Sequence, residues 1–130
     1  MTVGAMARTK GAAGERELAR LLTEVTGHDI TRRVRNFKGE DDLQGLPGWS
    51  IEAKRYKTIT PGLMAMWWAQ AQRQADAIGC EPVLFCRADR GLWRAVWSAE
   101  LLLTKSQPCP LPERAIVEAD PQTWWALCGM

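Results

Sequence analysis

The stretch Asp41–Lys57, DDLQGLPGWSIEAKRYK, constrains this chain more than any other. It reads as acidic residues, a Gly/Pro turn and then a short strand over Trp49–Arg55. Side chains alternate between the two faces of a strand. Trp49, Ile51 and Ala53 therefore point one way and suit a core, while Ser50, Glu52 and Lys54 point the other. The second set places a carboxylate beside an ammonium group, with Asp41 and Asp42 a turn away. A Glu-x-Lys pair on one strand face is commonly a solvated ion pair. The acidic pair upstream and a further carboxylate, Glu15, favour a different use. A hard cation such as Mg²⁺ takes carboxylate oxygens and water, and needs only one or two carboxylates from a protein. A neighbouring lysine then steadies charge building on an attacking or leaving oxygen.

At 130 residues, with 46% hydrophobic and 25% charged residues, the chain reads as one globular domain with a real core. No apolar run reaches the roughly 20 residues that cross a bilayer. The N-terminus lacks the apolar segment and cleavage site of a signal peptide, so a cytoplasmic location is expected, without membrane partners. Cys80, Cys86, Cys109 and Cys128 show no C-x-x-C spacing, and His28 is the sole histidine. Zinc and disulfide frameworks are therefore poorly supported. The net charge is only +2, but it is uneven. Arg32, Arg33, Arg35 and Lys38 crowd one segment, and Lys54, Arg55 and Lys57 another. Basic rims around an acidic hole suit a metal-dependent enzyme acting on a polyanion. The plainer reading is two solvated strand ends.

Residues 1–10 read as a loose arm carrying Arg8 and Lys10. A first helix is predicted over 13–26, with Leu18, Leu22 and Val25 at helical spacing and Gly27 as its stop. Glu15 lies at the edge of the buried face, unlike Glu17 and Glu24. It serves either an inward charge or the helix dipole of the first turn. Strands follow at 28–35, with Ile30 and Val34 inward, at 42–46, and at 49–55. Together they form a meander. Thr60-Pro61 is an N-cap followed by a first-turn proline, opening a helix to Ile78. Met64, Trp67, Ala71, Ala75 and Ile78 form its apolar stripe, with Gln70 and Gln74 beside it. Glu81–Arg87 is a continuous apolar run and reads as a central strand. Leu92–Ser98 is a further strand with Trp93, Ala95 and Trp97 on one face. A short helix at 99–103, a proline-rich loop at 105–112 and a helix opened by Asp120-Pro121 complete a small C-terminal appendage. The order α-β-β-β-α-β-β implies a mixed sheet flanked by helices.

The pattern GERELARLL, an arginine-rich strand, DDLQGLPGWSIEAKR and a helix containing WWAQA resembles the PD-(D/E)xK nuclease superfamily. Within it the chain is most similar to Holliday junction resolvases of archaeal type and their phage-encoded relatives, over about residues 9–98. The resemblance implies a restriction-endonuclease-like fold and Mg²⁺-dependent hydrolysis of DNA, with Mn²⁺ as a substitute. The products would carry a 5′ phosphate and a 3′ hydroxyl. It assigns Asp42 and Glu52 as metal ligands, Lys54 as the catalytic lysine, Glu15 as the helix carboxylate completing the site, and Gln70 as a further site residue. It also implies contact of an arginine among Arg32, Arg33 and Arg35 with the scissile region; Lys38, Arg55 and Lys57 join them as candidate DNA contacts. The proline of the motif name is absent, and Asp41 stands in its place.

Three carboxylates brought to about 5 Å would repel by roughly 3 kcal/mol per pair at an effective dielectric near 20, so a divalent ion is the expected occupant. Symmetric nicks in a four-way junction call for a two-fold dimer. Among Trp67, Trp68, Trp93, Trp97, Trp124 and Trp125, each is read as filling the core first, then as lying in a dimer face, and last as stacking on unpaired bases. Two other readings stand beside the resolvase: a restriction or repair nuclease acting on linear or mismatched DNA, and a DNA-binding module without activity.

Overall fold

The computed structural model describes residues 3–33, 41–102 and 115–129, with backbone alone for 3–10. Helix α1 spans Val3–Thr26 and stops at Gly27, whose φ of 74° is the left-handed conformation that glycine adopts without penalty. Strand β1 is Thr31–Arg32, β2 Leu43–Gln44 and β3 Trp49–Tyr56. Helix α2 is Pro61–Ile78, β4 Glu81–Ala88 and β5 Arg94–Ser98, followed by a 3-10 turn over Ala99–Leu102. Strand β6 is Ile116–Ala119 and helix α3 Pro121–Cys128.

The strands lie in one sheet in chain order, β1-β2-β3-β4-β5-β6. All neighbours are antiparallel except β3 and β4, which run parallel with Glu52 beside Leu84. A parallel pair needs a crossover, and α2 supplies it. The Thr60 side chain accepts from the Leu63 N–H at 3.2 Å, and Gly79 closes the helix at φ 68°. Strand β4 is covered on both faces, which explains its unbroken apolar run. Val83 and Phe85 join α1, α3 and the inner faces of β3 and β5 in one core, with Leu18, Leu22, Ile51, Trp97 and Trp124. Leu84 and Cys86 join Trp67, Trp68, Ala71 and Val96 under α2. The result is a mixed α/β sheet between helical layers.

Several expectations are corrected. The N-terminal arm is helical, because 3–26 continue one α-helix. The appendage is integral to the domain: β6 pairs with β5, and Trp124 is fully buried against Trp49 and Phe85. Ile78 is exposed at the end of α2, and Trp68 takes its expected place in the core. Of the tryptophans considered for a dimer face, Trp67, Trp68, Trp93, Trp97 and Trp124 are buried and Trp125 is half-buried. Their burial serves the two layers packed on the sheet. Cys80, Cys86 and Cys128 are free thiols. Val34, the turn at 36–40, Cys109 and the loop at 105–112 fall outside the described residues, as do the side chains of Arg8 and Lys10.

Candidate active site

The site follows from unequal strand lengths. Strand β3 runs for eight residues, but β2 pairs with it only at Leu43 and Ile51. Beyond that point, among the described residues, no backbone strand takes up the Ala53 N–H. The Asp42 carboxylate does so instead, at 2.9 Å. Both faces of β3 therefore meet solvent around this rim, and a cavity of about 360 Å³ wraps it. Its lining combines Glu15, Asp42, Lys54, Arg55, Tyr56 and Lys57.

Glu52, in contact with Asp42 behind this wall, does not itself line the cavity. It is 2% exposed, and its Oε2 has no hydrogen-bond partner. Lys54 approaches its Oε1 at 3.4 Å. Burial pushes the Glu52 carboxyl up to about 9, and the charge and hydrogen bond of Asp42 add to the rise against the pull of Lys54. Burial also raises Glu15; the bond from Arg32 opposes this and the charge of Asp42 reinforces it. Asp42 thus acts on both other carboxylates, and Lys54 acts on both as well.

The expected convergence of all three carboxylates is only half met. Asp42 and Glu52 are in contact. Glu15 is held by Arg32 at 2.7 Å, and among the described residues no group of three acidic, cysteine or histidine side chains is close enough to hold a metal. The Arg32 guanidinium pairs with Glu15, yet burial and the charge of Asp42 still hold it above its ordinary value. The approach of α1 depends on Gly14. A Cβ there would stand 3.1 Å from the Arg55 Cβ, so a larger residue would push Glu15 away from the rim.

The structure separates the adjacent aspartates. Asp41 is buried and accepts from Arg33 Nε at 2.8 Å and from the Ile51 N–H at 3.4 Å. It ties β1 to β3. Asp42 lines the cavity. Arg32 and Arg33 are therefore both engaged by carboxylates, while Arg55 lies beneath α1 and Lys57 stands at the mouth. Arg35 and Lys38 lie outside the described residues. Gln70 is half-buried on α2 and does not line the cavity; Gln74, one turn on, is buried with an unpartnered Oε1.

Glu17 was placed off the buried face by helical spacing. It accepts from Trp93 Nε1 at 2.7 Å, bonds Arg87, and stands 3.8 Å from Arg55 Nη1. These partners lie between 38 and 76 positions along the chain, a separation for which sequence carries no signal. Tyr56 was missed as well, although its position two residues after Lys54 puts it on the same strand face.

The donor set fits a hard divalent ion. Asp42 and Glu52 are two touching carboxylates, one with a buried oxygen lacking any partner, and Mg²⁺ asks a protein for no more than that.

Comparison with known proteins gives the family and the fold. The family model described as "Phage putative PDDEXK endonuclease" matches residues 6–110. No curated protein is matched. Among solved structures, Hjc from Archaeoglobus fulgidus, a Holliday junction resolvase from an archaeal hyperthermophile, aligns with a TM-score of 0.50 at 18% identity. The alignment covers 92% of this chain and 87% of that one. The likeness is one of fold: a restriction-endonuclease-like mixed sheet flanked by helices. Since the family match runs from the first helix past β5 and through most of the domain, the chain belongs to the phage PDDEXK endonuclease family.

Proposed function

We propose that this protein is a Mg²⁺-dependent, structure-selective DNA endonuclease that nicks four-way junctions. The observation that carries the reading is the Asp42–Glu52 pair, with a buried and unpartnered Glu52 Oε2, beside Lys54 and behind a cavity that Asp42, Lys54, Arg55 and Lys57 line. Endonuclease membership is the family's property; the junction is the finer step. It is supported by the fold shared with a protein that is itself a junction resolvase.

Asp42 and Glu52 would hold the ion, with Glu15 at its margin. A bound Mg²⁺ supplies positive charge that polarises the phosphate and acidifies an attacking water. Lys54 has the remaining role in the chemistry. Its ammonium stands 3.4 Å from Glu52 Oε1 and its side chain lines the cavity, where it stabilises charge growing on the phosphate oxygens. Arg55 and Lys57 hold the flanking backbone, and Asp42 fixes the rim by bonding Ala53. Two nicks across a junction require two such sites in fixed relation, which a two-fold homodimer provides.

The test is cleavage of a labelled four-way junction in Mg²⁺, against a duplex of the same arm sequence. Glu52→Ala and Lys54→Ala should abolish cutting while junction binding in a gel shift persists. Undiminished cutting by either variant would overturn the reading. Equal cutting of junction and duplex by the natural protein would replace the junction with linear DNA as substrate. Sedimentation of the protein checks the dimer.

A further inference from the structure

Among the described residues one exposed aromatic side chain remains, Tyr56, and it stands in the wall of the cavity. The tryptophans are buried or half-buried, so Tyr56 is set apart by its 44% exposure. Alternation along β3 gives it the face of Glu52 and Lys54, one strand repeat beyond the lysine. Its ring lies 4.7 Å from that of Trp67, tilted by 51°. Trp67, on α2, is itself 1% exposed in the core between that helix and the sheet, so the tyrosine is braced from behind by a buried side chain. Its backbone is fixed too, since the Tyr56 carbonyl accepts from the Asp89 N–H at 2.9 Å. Arg55 and Lys57 line the same cavity on either side of it in sequence.

A rigid, half-exposed ring flanked by cations, one strand repeat from a charged centre, has the elements of a single-stranded nucleic acid subsite. Cations hold the backbone while the ring takes the face of a base. We propose that Tyr56 stacks on an unpaired base next to the phosphate held at Lys54, and that this contact selects branched DNA. The inference rests on the nuclease reading and deepens it. Its physical basis is the cost of freeing a base. In an intact duplex the base must first be unpaired and unstacked, while at a branch point much of that cost is already met. A stacking site therefore favours the branch without reading any sequence. The plainer use of Tyr56 is to cover the end of the α2 core over Trp67. That role would make its loss a matter of stability alone.

The experiment uses four-way junctions carrying 2-aminopurine at each central position in turn, bound by the full chain without divalent metal. Stacking on an aromatic ring dims this base. Tyr56→Phe keeps the ring and drops the hydroxyl; Tyr56→Leu keeps an apolar cover over Trp67 and drops the stack. The phenylalanine variant should match the natural protein. The leucine variant should leave one central position brighter and weaken junction binding by about five- to 150-fold, with duplex binding changed less than about twofold. Equal brightness in the natural and leucine proteins overturns the proposal, as does equal loss for junction and duplex. A phenylalanine variant that behaves like leucine overturns it too, because the hydroxyl would then be the active group. Should the leucine variant fail to fold, Tyr56→Trp enlarges the ring and must keep the position dim; a folded, bright Trp variant counts against the idea. Since no cleavage is read, the outcomes separate. Absence of cutting, in the separate Mg²⁺ assay, by a protein that dims the base strikes only the nuclease reading, and dimming that does not depend on Tyr56 in a protein that cuts strikes only this one.

Discussion

Glu52 and Glu17 are two carboxylates served in opposite ways. Glu17 receives hydrogen bonds from Trp93 and Arg87 and the charge of Arg55. Burial would raise it, but these partners outweigh burial and hold it below the ordinary range. Glu52 has a single cation, an acidic neighbour and one buried oxygen with no partner, and it rises to about 9. The first is a clamp: it joins α1 to β3, β4 and the residue that precedes β5, and needs nothing more. The second is incomplete by the standards of the same molecule. The fold satisfies one carboxylate threefold and leaves another short, and on the proposed reading a positive ligand would make up the difference. Buried charges without compensation are otherwise costly to retain.

The largest contrast should appear in cleavage. Glu52→Gln is expected to lower junction cutting by about a thousandfold or more, since it removes a charge at the reacting centre. Glu17→Gln should stay within about threefold in the same gel assay. Similar losses in both would erase the distinction between clamp and site. The aspartate pair sharpens it. Asp42→Asn should cut activity by about a hundredfold or more. Asp41→Ala should instead destabilise the fold by about 2–3 kcal/mol in urea titration, because it strands Arg33 and the Ile51 N–H. A stable, inactive Asp41 variant would show that the roles are reversed.

The pH response has opposite signs at the two sites. Glu52 has a folded value above its unfolded 4.5, so the folded chain binds the extra proton. Its contribution is whole below about 4.5 and is lost as pH rises toward about 9. The melting temperature of the metal-free protein should therefore fall across that window, with Glu52→Gln flattening the fall and Mg²⁺ reversing it. Glu17 is depressed, so its contribution is present above the ordinary carboxylate range and is lost as pH falls through its lowered folded value. Glu17→Gln should flatten only the acid side. The smallest effect is the stability of Glu17→Gln at neutral pH. Its side chain is 41% exposed, so hydrogen bonds to a charged group, discounted for solvent screening, leave about 1 kcal/mol. That corresponds to a drop of about 3–5 °C in calorimetry.

Much of the fold was legible because its signals are local. Thr60-Pro61 and Gly79 mark the ends of α2 by chemistry that acts within a few residues, and β4 announces its burial by apolar residues on both faces. Strand β6 was not legible: IVEA offers four residues that alternate only in exposure, and its partner β5 is needed to make it a strand. The tryptophans show the same limit. Side-chain type says that Trp124 wants burial, but whether in a core or between subunits depends on what lies opposite, here Trp49 and Phe85.

For the site, sequence alone determined the alternation that sets Glu52 beside Lys54, since a two-residue repeat is a property of any strand. It also placed Asp42 close before them. Tertiary structure decided which aspartate lines the cavity, because Arg33 reaches Asp41 across a sheet register that no local rule encodes. It decided that Glu15 leans to Arg32, that Glu17 is a clamp, and that β3 outruns β2 to open a rim where both strand faces meet. Each of these is a distance between residues far apart in the chain, and only the packing of α1 and the strand lengths set those distances.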